Sequence, residues 1–85
     1  MLSPEDIRGR ILGGLPGAEV EVKDLTGTGD HFEARVVSDR FAGKSMVEQH
    51  QMVYAPLGDL LQTGALHALA LKTYSPEQWQ RLQAR

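Results

Sequence analysis

The 85-residue chain has no cysteine. Disulfides, thiolate zinc sites, thiol redox chemistry and any iron–sulfur cluster held by the chain's own cysteines are thereby excluded. It also lacks a basic excess: nine Lys plus Arg stand against eleven Asp plus Glu, for a net charge of −2. Dedicated nucleic-acid binders usually carry a basic patch or stripe, so this balance argues against that class. No stretch reaches the ~20 apolar residues needed to span a bilayer. The opening Met1-Leu2-Ser3-Pro4-Glu5-Asp6 lacks the basic and apolar regions of a secretion signal, so a cytoplasmic protein is expected. The length fits one domain, residues 1–85, and a chain so short buries only about 60–65% of its unfolded surface. Without disulfide or zinc staples, packing alone must hold it.

What is present begins with three serines placed to start helices. Ser3 suits an N-cap, because its hydroxyl can accept from a backbone N–H that has no helical partner, and Pro4 suits the first helical position. Leu2 and Ile7 form a hydrophobic staple, and Ile7, Ile11, Leu12 and Leu15 follow at helical spacing. Gly13, Gly14, Pro16 and Gly17 stop the run. Ser75-Pro76 repeats this grammar, with Gln78 completing a capping box and Tyr74 and Trp79 as the staple. Ser45-Met46-Val47-Glu48 is a third capping box, opening a helix from Met46 towards Tyr54 that Pro56 limits. Leu57 to Thr63 reads as a short helix ended by Gly64.

Strands lie between these helices. Val20 and Val22 alternate with Glu19, Glu21 and Lys23, and Phe32, Ala34 and Val36 alternate with His31, Glu33 and Arg35, the pattern of half-buried strands. Thr26-Gly27-Thr28-Gly29-Asp30 joins them as a hairpin loop. Asp39 to Gly43 is a turn, and Leu66 to Tyr74 is the third strand, with Leu69 and Leu71 on one face. The order α-β-β-α-α-β-α predicts an α+β fold, with helices on one face of a three-stranded mixed sheet. A helical crossover favours parallel pairing of the second and third strands, about 4.8 Å apart. His31 and His67 would then open neighbouring strands at one edge. Strand parity sets His67 with Leu69 and Leu71, and His31 opposite Phe32; the pairing relies on their place at the strand mouths, where the pleat relaxes.

No enzyme motif emerges. Ser3, Ser38, Ser45 and Ser75 show no nucleophile-elbow pattern, and His31, His50 and His67 show no helical metal-ligand spacing. Gly27-Thr28-Gly29 reads as a tight turn before it reads as an anion cradle. On residue chemistry alone, His50 is a packed or interface side chain, His67 a hydrogen-bonded histidine at the core margin, and His31 an exposed one. A ligand role is the competing reading for each.

The segment from Phe41 to Tyr54, Phe-Ala-Gly-Lys-Ser-Met-Val-Glu-Gln-His-Gln-Met-Val-Tyr, resembles the signature of the BolA-like family. Val37-Ser38-Asp39-Arg40 before it, and Leu66-His67-Ala68-Leu69-Ala70-Leu71 through Pro76 and Trp79 after it, also match. The Gly-Thr-Gly-Asp-His-Phe loop and the Val-Tyr-Ala-Pro-Leu segment most resemble the IbaG (YrbA) subgroup. The resemblance implies a class II KH-like fold and a non-enzymatic partner of monothiol glutaredoxin, sharing a bridging [2Fe–2S] cluster with it and with glutathione. It implies iron–sulfur cluster trafficking or iron and redox sensing, with no cofactor on the isolated chain, which would be a monomer or weak dimer. His67 matches the family's iron ligand. Many members place a Cys or His in the loop before strand two, where this chain has Thr28, so His31 is the candidate second ligand. Lys44, Gln49 and His50 are assigned to the partner surface. The competing expectation is a KH-like nucleic-acid-binding transcriptional regulator, although Tyr54-Ala55-Pro56-Leu57-Gly58-Asp59 lacks the G-x-x-G clamp such domains use.

Overall fold

Residues 2–27, 29 and 31–84 are described by the computed structural model. In chain order these are α1 (Pro4–Gly14), β1 (Glu19–Asp24), β2 (His31–Val37), α2 (Met46–Tyr54), α3 (Gly58–Thr63), β3 (Ala68–Tyr74) and α4 (Pro76–Gln83). Tight three-residue helical turns at Asp39–Phe41 and Ala55–Leu57 lead into and out of α2.

The expected caps form. Ser3 Oγ accepts from the Asp6 amide at 3.2 Å, and the Asp6 carboxylate accepts from the Ser3 amide at 2.9 Å. Ser45 and Glu48 exchange the same pair of bonds at 3.2 and 3.0 Å. Ser75 and Gln78 do so at 3.2 and 2.9 Å. Each box satisfies helical donors that the helix itself leaves open.

The sheet order is β1-β2-β3, with β1 antiparallel to β2 and β2 parallel to β3. Phe32, Ala34 and Val36 of β2 are buried beside Val20 of β1. Against this face pack Ile7, Ile11 and Leu15 from α1, Val53 from α2, and Phe41, Leu57 and Leu66 from the connections. Truncating a buried Phe or Ile here is expected to cost about 2–5 kcal/mol.

Two details depart from the sequence pattern. The third strand starts at Ala68 rather than Leu66. Leu66 instead donates its N–H to the Leu60 carbonyl at 3.0 Å, with its side chain buried in the core. The other departure concerns α4. Helices α1 to α3 lie on the Phe32 side of the sheet, whereas α4 carries Trp79 to within 4.3 Å of the Arg35 guanidinium. Arg35 alternates with Ala34 and Val36, so Trp79 covers the opposite face, where Val37 is also buried. A chain leaving β3 at Tyr74 and turning at Ser75 finds its apolar partner there, with the Tyr74 and Trp79 rings 5.3 Å apart.

Candidate functional site

Strands β2 and β3 begin side by side. Their register pairs His31 with Ala68, so His67 immediately precedes the residue facing His31. With neighbouring strands about 4.8 Å apart and residues about 3.3 Å apart along a strand, the two histidine backbones are one diagonal step from each other. Both histidines are exposed.

The backbone at each histidine is anchored by hydrogen bonding. His67 lies between Leu66, which is only 2% exposed and tied to the Leu60 carbonyl, and the first rung of the β2–β3 ladder. The His31 carbonyl accepts from the Leu25 amide at 2.9 Å, which closes the hairpin. Within that loop the Asp24 carboxylate accepts from the amides of Thr26 at 3.2 Å, Gly27 at 2.9 Å and Gly29 at 3.0 Å. Gly27 and Gly29 have φ of +74° and +78°, which only glycine adopts readily. The two glycine amides that a Gly-x-Gly loop would offer an external anion are thus occupied by the chain's own carboxylate. The Asp24-Leu25-Thr26-Gly27 run carries the Asx-turn signal that reveals this arrangement. Thr28 lies outside the described residues.

The parity expected from the pattern is present. His31 alternates with buried Phe32 and shares the outer face with Glu33 and Arg35. Leu69, Leu71 and Thr73 sit opposite Phe32, Ala34 and Val36 on the helical face, while His67 precedes the ladder and is not bound by its pleat. The outer face is strongly ionic. Lys72 bonds Glu33 at 2.9 Å, and Arg35 reaches Glu21 at 3.2 Å and Glu19 at 3.9 Å. The Lys72 hydrogen bond, followed by its charge, holds the Glu33 carboxyl below the usual range, and Glu33 raises Lys72 in return.

The residues assigned to a partner surface divide. Lys44 is exposed at the entry to α2. His50 is half-buried, with its ring edge-on to Tyr54 and its Nε2 enclosed without a hydrogen-bond partner. Gln49 is only 3% exposed and belongs to the interior. Its amide nitrogen donates to the carbonyls of Phe41 and Lys44, and its oxygen accepts from Thr73. The burial of Gln49 has a simple cause: the turn before α2 closes with the Lys44 amide donating to the Phe41 carbonyl and leaves the Lys44 carbonyl to a side chain, and Gln49 reaches both carbonyls.

Among the described residues no three His, Cys, Asp or Glu side chains come together as a metal-binding group. The same residues include no helix long and apolar enough to cross a membrane. The site is therefore an open edge offering two imidazoles rather than an enclosed centre.

These features define a small α+β domain in which a helical crossover sets two histidines at neighbouring strand mouths. The BolA-like protein family matches residues 17–78, and the chain belongs to it. This is a family of regulators and partner proteins rather than enzymes. The chain is 34% identical over 76 residues to the acid stress protein IbaG of Escherichia coli, covering 89% of this chain and 87% of that one. It is 44% identical over 57 residues to the DNA-binding transcriptional regulator BolA of the same organism, covering 67% of this chain but only 53% of BolA. A Haemophilus influenzae relative is 49% identical over 55 residues, or 65% of each chain. Among solved structures, a BolA protein homologue from Coxiella burnetii superposes with a TM-score of 0.81 at 36% identity, over 95% of this chain and 100% of that one.

Proposed function

We propose that this protein binds a monothiol glutaredoxin and lends it imidazole ligands, His67 first and His31 second, for a bridging [2Fe–2S] cluster. The thiolates come from the glutaredoxin and glutathione, and the complex serves iron–sulfur cluster trafficking or iron sensing. One observation carries this reading: two exposed histidines open adjacent parallel strands in a chain without cysteine. Family membership supports it, because partnership with monothiol glutaredoxins is what that resemblance implies.

The donor set fits such a shared group. Two imidazoles cannot enclose a cluster, and no third ligand stands beside them among the described residues, so the remaining ligands must arrive with a partner. A bound cluster would supply iron and electron exchange, and imidazole in place of thiolate on one iron raises the reduction potential. The chain's own contribution is placement. Buried Leu66 and the first β2–β3 rung hold the His67 backbone from both sides. Asp24 ties down the loop preceding His31. Both arrangements lower the ordering cost of binding.

The test is to purify the chain alone and with a monothiol glutaredoxin, and to compare visible absorption and circular dichroism. Cluster bands are expected only from the mixture with glutathione. His67→Ala should abolish or reshape them, and His31→Ala should alter them less. A spectrum unchanged by His67→Ala defeats the ligand assignment, and failure to form any complex defeats the reading.

A second reading, nucleic-acid binding, has in its favour the description of BolA as DNA-binding. Against it, Arg10, Lys23, Arg35, Lys72 and Arg81 already hold carboxylates within the chain. A gel shift that weakens steeply with salt would favour this reading, because phosphate contacts release counterions.

A further inference from the structure

The two edges of the sheet are protected unequally. At β1, the Arg8 Nε donates to the Val20 carbonyl at 3.2 Å, and Glu19, Glu21, Lys23 and Asp24 charge the strand. Charge and covering groups are the usual means of keeping an edge from pairing. At β3 the sequence is Ala-Leu-Ala-Leu-Lys-Thr-Tyr, with one charge in seven residues. The Tyr74 carbonyl accepts from the Ser38 amide. By alternation Tyr74, Lys72, Ala70 and Ala68 turn their backbone groups to β2, while Leu69, Leu71 and Thr73 turn theirs outward. Among the described residues no hydrogen bond from another element meets those outward groups.

We infer that the β3 edge pairs with the β3 edge of a second copy of this chain, antiparallel and centred on Leu71. The pairing is self-complementary. Leu71 faces Leu71 of the second copy and Leu69 faces Thr73, so the outward groups satisfy one another with about six hydrogen bonds. Lys72 falls opposite Ala70 of the second copy, which keeps like charges apart, and it retains Glu33 at 2.9 Å. The flank of the edge is apolar. Met46 is 60% exposed with its sulfur 3.7 Å from Thr73 Oγ1, and Leu82, 43% exposed, lines the same notch. A second copy laid along β3 covers this notch at both ends of the two-fold pair. The product is a continuous sheet of six strands, and its remaining edges are the two guarded β1 strands.

Sedimentation equilibrium from micromolar to millimolar protein, combined with amide hydrogen exchange on the full chain, tests this. The expected mass rises from one copy to two, and the amides of Leu69, Leu71 and Thr73 gain protection with concentration. Ala70→Lys, on the outer face, places a lysine against Lys72 of the second copy at two symmetry-related positions. It should weaken the dimer about tenfold or more, and combining it with Lys72→Glu should recover the affinity. Leu71→Pro removes an outward N–H and no rung to β2, so it should also prevent pairing; circular dichroism checks that each variant is folded. A chain that stays monomeric at millimolar concentration overturns the inference, as does a dimer indifferent to Ala70→Lys. Protection of the three amides only after a glutaredoxin is added would also overturn it, by giving the edge to a different partner.

Discussion

The Thr73 hydroxyl donates to Gln49 Oε1 at 2.7 Å, joining β3 to α2 through a bond buried from solvent. The same Gln49 side chain donates to the carbonyls of Phe41 and Lys44 at 3.3 and 3.1 Å. One amide therefore links the turn before α2, the helix itself and the strand that follows His67. Gln49→Ala leaves the Lys44 carbonyl without its donor, the Phe41 carbonyl with the Lys44 amide alone and the Thr73 hydroxyl with only the Met46 sulfur, and should cost about 1–3 kcal/mol of stability. Thr73→Val strands only the Gln49 oxygen and should cost about 1–2 kcal/mol. Urea denaturation of the two single variants and the double variant checks both figures. Because the residues share a bond, the double variant should lose less than the sum.

The position of Gln49 shows which features could be read from sequence. Ser3, Ser45 and Ser75 were legible as caps because a capping box is complete within four residues. The alternation of Phe32, Ala34 and Val36 was legible because a strand sorts its side chains locally, whatever it packs against. The placing of His31 and His67 at neighbouring strand mouths followed from one topological rule, that a helical crossover makes parallel neighbours. Gln49 escaped because its burial depends on carbonyls at Phe41 and Lys44, and a polar residue between Glu48 and His50 looks like surface. The turn of α4 onto the outer face escaped for a similar reason. Its cause is the docking of Trp79 on Arg35, 44 positions away in the chain, and no local pattern encodes that.

Trp79 is the main apolar tie between α4 and the sheet, set over Arg35 at 4.3 Å and beside Tyr74 at 5.3 Å. Trp79→Ala removes both the cation–π contact and the ring pair, at a cost of about 1–3 kcal/mol. The loss should concentrate in α4, so the amides of residues 76–83 should exchange faster while those of β2 stay protected. Loss of protection in β2 to the same degree would mean that α4 and the sheet unfold as one unit.

Acid should weaken the fold through several exposed carboxylates at once. Glu48 is held below its ordinary range first by the Ser45 amide, then by the Ser45 hydroxyl and the Lys44 charge. Asp6 is lowered by Ser3, Asp59 by Arg10 and Glu33 by Lys72. A carboxyl lowered on folding contributes stability that is complete above its unfolded pKa, about 4, and lost as pH falls through the folded value. The urea midpoint should therefore decline from about pH 5 towards about pH 3. Glu48→Gln keeps a side chain able to complete the capping box but removes one titrating group, so its midpoint should decline less over that range. An unchanged slope would show that Glu48 contributes nothing to acid sensitivity.

Two glycines of α1 should respond in opposite directions to the same substitution, and the difference bears on how His67 is held. A Cβ at Gly9 meets nothing within 4 Å, so Gly9→Ala should stabilise the protein by about 0.5–1 kcal/mol through helix propensity alone. A Cβ at Gly14 would lie 2.8 Å from Pro56 Cγ and 3.0 Å from its Cβ. A proline ring cannot rotate aside, so α1 or the Ala55–Leu57 turn must move. Gly14→Ala should therefore destabilise by about 1–3 kcal/mol, as overpacking does. That turn leads directly into α3, whose Leu60 carbonyl holds the Leu66 amide next to His67. Displacing the turn should shift the amide resonances of Leu66 and His67 although Gly14 touches neither. Thermal melts and a two-dimensional NMR spectrum of each variant separate the outcomes. If Gly14→Ala matches Gly9→Ala in both stability and spectrum, the close approach to Pro56 plays no part in placing the strand that His67 precedes.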